Sequence, residues 1–224
     1  MARQQEVIDI VLADDQKLFR AGIEMLIESQ DDLRLVGSAS DGREAVDITR
    51  ETHPHVVLMD IRMPEMDGIT ATEQILADSA TDAAPPRVLI LTTLRRDEAV
   101  ARAIRAGASG FVMKDAEPEF LLAAIRTVNL GHAVIAPSET FDLIREFGGR
   151  NVRRPNESVI DELTPREKDI FALVAKGLTN AEVATSAYVS ETTVKTHLSG
   201  VMTKLGLKSR VQLVTFAWEN GLVG

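Results

Sequence analysis

Five short apolar runs, at residues 7–13, 33–39, 55–60, 87–92 and 110–113, alternate with five stretches of helical pattern. Those stretches, at 16–29, 42–51, 68–78, 97–106 and 118–129, repeat their apolar residues every three or four positions. Short, nearly continuous apolar runs fit strands buried on both faces, and strands separated by single helices are joined by crossovers. The pattern predicts an α/β fold: a doubly wound, five-stranded parallel sheet of order 2-1-3-4-5 with helices on both sides. The segment 78–87, with Pro85-Pro86, reads as an exposed loop before the fourth strand.

From residue 161 the strand pattern stops. Thr164-Pro165-Arg166-Glu167 supplies an N-cap Thr, a Pro at the first helical position and a Glu that completes a capping box. Thr179-Asn180-Ala181-Glu182 repeats the signal behind the stop at Gly177, and Ser190 and Ser209 open two further helices. An all-α domain of four short helices is expected at 161–224. It is joined to the first domain, 1–130, by a linker at 131–160 that holds Gly148-Gly149 and a helical stretch at 138–147.

No cysteine is present, which excludes a disulfide scaffold, a thiolate metal site and a cysteine nucleophile. The opening Met1-Ala2-Arg3-Gln4-Gln5-Glu6 lacks the apolar core of a signal peptide. No apolar run approaches the roughly 18 residues of a membrane span, so a cytoplasmic protein with no membrane partner is expected. The net charge of −9 is unevenly placed: residues 1–130 hold 14 Lys and Arg against 23 Asp and Glu, and the rest of the chain is balanced. Residues 192–218 nevertheless contain Lys195, Lys204, Lys208 and Arg210 with no acid among them, a local basic stretch suited to nucleic acid.

The strand ends carry the chemistry. Asp14 and Asp15 follow the first run and Asp60 ends the third. In the expected strand order these ends are neighbours, and the crevice outside them is where such sheets bind ligands. Three crowded carboxylates repel one another unless a divalent cation sits among them, and Mg2+ suits carboxylate oxygens shared with phosphate. Asp60 can then attack a phosphoryl group to form an acyl phosphate. Thr92 ends the fourth strand and Lys114 the fifth, where a hydroxyl and an ammonium can meet phosphoryl oxygens. Any one Asp at a strand end reads equally well as a cap or turn former; five such groups on four strand ends do not.

Asp14-Asp15, Met59-Asp60-Ile61-Arg62-Met63-Pro64-Glu65-Met66-Asp67-Gly68, Leu91-Thr92-Thr93 and Ala106-Gly107-Ala108-Ser109-Gly110-Phe111-Val112-Met113-Lys114-Asp115 together resemble the receiver domain of bacterial two-component response regulators, over residues 6–130. The resemblance implies that a sensor histidine kinase phosphorylates Asp60. It further implies that Asp15, with Asp14 beside it, Asp60 and the Arg62 backbone carbonyl hold Mg2+, and that Thr92 and Phe111 form a switch pair. On its residues alone Phe111 is a core aromatic of the fifth strand. His55 stands where the family commonly has Asp and reads as a surface or edge histidine. Leu94 and Arg62 place bulk at the pocket mouth, which predicts slow access of water and a long-lived phosphorylated form.

In the helix after Ser190, Val194, Leu198, Val201 and Leu205 form an apolar stripe. Thr192, Lys195, Thr196, Ser199 and Thr203 form a polar face without a carboxylate, as entry into the DNA major groove requires. The helix at 180–187 and the connection Tyr188-Val189-Ser190 complete a helix-turn-helix. The segments Leu163–Glu167, Leu173–Ala184, Ser190–His197 and Lys204-Leu205-Gly206 resemble the LuxR-type DNA-binding domain, and a receiver followed by this module is the NarL/FixJ architecture. The resemblance implies base contacts by Lys195, Thr196 and Ser199, and backbone contacts by Thr192, Thr193, Lys204, Lys208 and Arg210. Ala187 stands where the pattern prefers Leu, so that either the domain is less stable or the space is filled by Tyr188 or another neighbour. Gly200 reads as a site of close packing or of close approach to DNA.

The expected function is promoter binding controlled by phosphorylation of Asp60, through dimerisation or release of the second domain. A phosphohydrolase with an aspartyl-phosphate intermediate would use the same acids. It needs a cap or a second general acid, where this chain offers a DNA-binding module, so a non-enzymatic regulator is expected.

Overall fold

The computed structural model describes residues 7–79, 85–93, 98–132, 134 and 156–222; Leu94 and the helical stretch expected at 138–147 lie outside them. The chain divides into two compact units, Met1–Val134 and Ile135–Gly224. In the first, β1 (Ile8–Ala13), α1 (Lys17–Glu28), β2 (Leu33–Ala39), α2 (Gly42–Thr52), β3 (Val56–Asp60), α3 (Gly68–Asp78), β4 (Arg87–Thr92), α4 (Glu98–Ala106), β5 (Gly110–Met113) and α5 (Pro118–Asn129) follow one another. The five strands form one sheet of order β2-β1-β3-β4-β5, every pairing parallel.

Alternate residues of the apolar runs serve opposite faces. Ile10, Leu12, Leu58, Leu89 and Leu91 pack with Ile27 of α1 and with Leu121, Ile125 and Val128 of α5. Val11, Ala13, Val57, Met59, Val88 and Ile90 are as deeply buried on the face covered by α2, α3 and α4. Two covered faces explain why these strands are apolar throughout, and each large side chain so buried contributes about 1.5–3 kcal/mol. The register Ala13↔Met59, Asp60↔Leu91 and Thr92↔Met113 brings the C-terminal ends of β1, β3, β4 and β5 to one edge.

At that edge the chain leaving β3 is held tightly. The Gly68 N–H donates to the Ile61 carbonyl at 2.9 Å, and Asp67 caps α3 by accepting from the Thr70 N–H at 2.7 Å. A Cβ on Gly68 would lie 1.9 Å from the Asp60 carbonyl oxygen, so no other residue fits there. Gly42, at the start of α2, donates its N–H to the Met66 carbonyl at 3.1 Å and clamps the same loop from the other side. Beyond α5, Val134 forms a parallel bridge with Gly110, so the chain is still attached to the sheet at 134, past the expected start of the linker.

The second unit contains a 3-10 helix (Glu157–Ile160), then α6 (Pro165–Ala175), α7 (Asn180–Ala187), α8 (Glu191–Leu205) and α9 (Arg210–Glu219). Its core joins Leu163, Ile170, Phe171, Val174, Val183, Val194, Leu198, Val201 and Leu213, with Phe216 edge-on to Phe171. Thr164 and Thr179 close capping boxes with Glu167 and Glu182, and Ser190 and Ser209 cap α8 and α9. Ala187 is buried, but Tyr188 does not fill the space beside it: its side chain points out to solvent, 94% exposed. The Arg166 guanidinium instead donates to the Ala187 carbonyl.

Gly68→Ala is expected to lower the stability of the first unit by about 1–3 kcal/mol through a backbone clash. Gly22→Ala, on an open helical site with nothing within 4 Å of the added Cβ, should raise it by about 0.5–1 kcal/mol. Urea unfolding followed by far-ultraviolet circular dichroism reads both, and equal midpoints for the two variants would contradict the close approach at Gly68.

Candidate phosphoacceptor pocket and nucleic-acid interface

Carboxylate oxygens of Asp14, Asp15 and Asp60 lie within 4.8 Å of one another at the sheet edge, Asp14 and Asp60 buried and Asp15 exposed. Lys114 Nζ stands 2.7 Å from Asp14 Oδ2 and 2.8 Å from Asp60 Oδ2, with 7% of its side chain exposed. The Lys114 backbone reaches this place because its N–H extends the β4–β5 ladder, donating to the Thr92 carbonyl at 2.7 Å. Asp60 Oδ1 accepts from the Ile61 N–H at 2.8 Å, and Asp14 Oδ1 from the Gln16 N–H at 2.9 Å. Asp14 Oδ2 is fully buried and has no well-directed hydrogen-bond donor, so its contact with Lys114 is one of charge. Thr92 is buried at the end of β4, and Phe111 is half-buried on β5 in register with Ile90. Arg62 is exposed in the turn after β3.

Burial raises the Asp60 pKa above the ordinary carboxylate value, helped by the charge of Asp14 and opposed by Lys114 and the Ile61 N–H. For Lys114, burial acts to lower the pKa and is outweighed by the neighbouring carboxylates of Asp14 and Asp60, which hold it above the usual ammonium range. One ammonium against three carboxylates leaves the pocket with excess negative charge. An all-oxygen donor set with an undirected buried oxygen on Asp14 fits a hard divalent cation.

Two neighbours were not legible as parts of this pocket. The Phe19 ring lies 4.9 Å beneath Lys114 Nζ, and the Arg20 guanidinium donates to the Asp14 carbonyl. Both lie on the first turns of α1, and their sequence signal is only the helical spacing that turns them inward.

In the second unit, α7, a turn at 188–190 and α8 form the helix-turn-helix. Val194, Leu198 and Val201 are buried and Leu205 is half-buried. Thr192, Lys195, Thr196, Ser199 and Thr203 are all exposed on the outer face; Thr193 is half-buried, with Oγ1 2.8 Å from Ser190 Oγ. Lys208 is exposed beyond the end of α8.

Residues 10–126 match the response regulator receiver domain, and residues 161–217 match the luxR family of bacterial regulatory proteins. The chain belongs to the LuxR-type response regulators. The transcriptional regulatory protein YxjL of Bacillus subtilis is 36% identical over 98% of this chain and 99% of its own length. The response regulator VraR of Staphylococcus aureus is 32% identical over 96% and 99%. Among solved structures, the response regulator ChrA of a heme-sensing two-component system is 34% identical, with a TM-score of 0.51 over 97% of this chain and 99% of its own. A response regulator carrying a LuxR-type DNA-binding domain is a transcription regulator of a two-component system. Among the described residues no helix is long and apolar enough to cross a membrane.

Within this response regulator, two residues expected to extend the basic surface behave otherwise. Arg210 is buried: its guanidinium donates to Asn180 Oδ1 at 2.9 Å and to the Leu178 carbonyl, and burial pushes its pKa down to about 10. It ties α9 to the start of α7 and is not available to a phosphate. Lys204 Nζ lies 2.6 Å from Glu167 Oε2, the carboxylate that also caps α6. Gly200 makes room for that carboxylate, since a Cβ there would lie 3.0 Å from Glu167 Oε1; it serves packing against α6. An acid-free stretch of sequence could not reveal an acid supplied by another helix.

The hydrogen bond from Lys204, followed by those from the Thr164 backbone and hydroxyl, lowers the Glu167 pKa to about 2 from 4.5. A lowered folded-state pKa gives stability that is present above 4.5 and is lost as pH falls through that value toward 2. Wild type should therefore lose stability across this window more steeply than Glu167→Gln, which should already be weaker at neutral pH. Fluorescence of Trp218, the chain's one tryptophan, during urea unfolding would measure it, and parallel pH profiles would rule the pairing out as a source of stability.

Proposed function

We propose that this response regulator takes a phosphoryl group on Asp60 from a sensor histidine kinase and that the modification controls dimerisation and promoter binding. The observation that carries the reading is the Lys114 ammonium bridging Asp14 and Asp60 within 2.8 Å at a buried strand edge. Asp14, Asp15, Asp60 and the Arg62 backbone carbonyl would hold Mg2+, which supplies positive charge to the phosphoryl oxygens. Asp60 is held with its carboxylate at the pocket floor by the Ile61 N–H and Lys114, oriented toward an incoming phosphorus. One of its oxygens forms the new P–O bond as the donor's P–N bond breaks, and the released imidazole takes up a proton.

Phosphorylation turns the single charge of the Asp60 carboxylate into the two of an acyl phosphate, carried on oxygens close to Lys114 and Thr92. Lys114 then has a competing partner to its bond with Asp60, and the Thr92 hydroxyl has phosphoryl oxygens to donate to. Movement of Thr92 leaves room behind it on the sheet edge for the half-buried Phe111, so the pair acts as a switch that alters the β4 and β5 face. The altered face drives dimerisation, and two copies of α8 engage paired half-sites on the promoter. Lys195, Thr196 and Ser199 read base edges, while Thr192, Thr193, Lys208 and, once free of Glu167, Lys204 meet the DNA backbone. The receiver spans 1–130, the linker 131–160 and the DNA-binding domain 161–224, in a cytoplasmic protein without catalytic turnover of its own.

Acetyl phosphate and Mg2+ should add about 80 Da, one phosphoryl group, to the wild type and nothing to Asp60→Asn. Phosphorylated wild type should bind a duplex from upstream of its own gene, and the variant should not. Intact-mass spectrometry and a gel-shift titration read the two halves; an unmodified protein that binds equally well would refute the reading.

A further inference from the structure

Tyr188 is the chain's one tyrosine, and at 94% it is the most exposed large apolar side chain among the described residues. It ends α7 in the left-handed region, φ 55° and ψ 47°. A bulky side chain is strained there, and helix ends that need this conformation usually carry glycine. The same unit uses glycine for it elsewhere, at Gly177 (φ 87°) and Gly206 (φ 66°). With its ring in solvent, Tyr188 gives the core nothing in return for that strain.

Its place in the fold accounts for it. The Val189 N–H donates to the Ala184 carbonyl at 3.0 Å and fixes the turn, and one residue later Ser190 caps α8 through the Thr193 N–H at 3.1 Å. In a helix-turn-helix on DNA, the second helix enters the major groove by its N-terminal residues while the first crosses the backbone, so the turn between them lies at the phosphates. A phenolic O–H is a donor without charge. The exposed Glu191 follows three residues later, and a lysine or arginine in place of Tyr188 would have that carboxylate as a competing partner. The Glu182 carboxylate is turned back to its own cap, accepting from the Thr179 N–H and hydroxyl at 2.7 and 2.9 Å.

We propose that Tyr188 is a neutral contact to the DNA backbone, its phenolic O–H donating to a phosphate oxygen at the edge of each half-site. The inference rests on the DNA-binding reading above and adds a residue to it. A backbone contact strengthens binding to every sequence alike, and a neutral one releases no counterion.

The test uses the full chain treated with acetyl phosphate and Mg2+. Binding is titrated over a range of salt concentrations against a duplex selected from a random-sequence library and against a scrambled duplex. Tyr188→Phe should weaken binding to both by about tenfold, one lost hydrogen bond to a charged group, with the logarithmic salt slope unchanged. Tyr188→Gly should bind as weakly while unfolding at a higher temperature, because glycine adopts this backbone freely. Wild-type affinity in Tyr188→Phe overturns the inference, as does a loss confined to the selected duplex or a reduced salt slope. A wild type that binds neither duplex overturns the DNA-binding reading itself, and the inference with it.

Discussion

A lysine ammonium with 7% of its side chain exposed, placed between two buried carboxylates, is the interaction on which the first domain turns. Removing one partner from such a group leaves an uncompensated buried charge, at a cost of about 3–5 kcal/mol. The arrangement is therefore stable only while all three strands that supply it end at the same level. That condition is met by a parallel sheet whose register aligns β1, β3 and β5 through β4. It is also why the chain around it is so constrained: Gly68 has no room for a Cβ, and Gly42 is bonded to the loop that follows Asp60. A pocket built this way holds excess negative charge in place before any ligand arrives.

The second domain uses a carboxylate differently. Glu167 closes the cap of α6 and binds Lys204 of α8, and Gly200 lets the two helices approach. One side chain thus fixes α8, the second helix of the helix-turn-helix, to α6. Arg210 does the corresponding work for α9, reaching Asn180 and the Leu178 carbonyl from inside the fold. Two cations that look like surface charge in sequence are drawn into structure, and the surface left for DNA is smaller and less positive than the count of lysines and arginines implies.

The order of strands, the helix starts and the acidic edge were legible because each rests on a local pattern: period, caps, and polar residues ending apolar runs. All five strands and the helices of both domains lie within about a turn of their expected positions, the usual latitude for helix ends. Lys114, Thr92 and Asp60 could be placed together because parallel topology forces strand ends to one side. The fates of Arg210, Lys204 and Tyr188 could not be read. Arg210 and Lys204 depend on partners 30 and 37 residues away, and whether Tyr188 fills the space beside Ala187 depends on a left-handed backbone, φ 55°, that leaves its ring in solvent.

The sequence by itself determined two domains, their elements, and a set of carboxylates, hydroxyl and ammonium that belong at one sheet edge, because short-range spacing fixes which face of a strand or helix a residue occupies. Only the tertiary structure decided which charges are spent inside the protein and which remain for a ligand. Charge pairing with hydrogen-bond geometry acts through space between groups in direct contact, so it depends on neighbours that the chain brings together from distant positions.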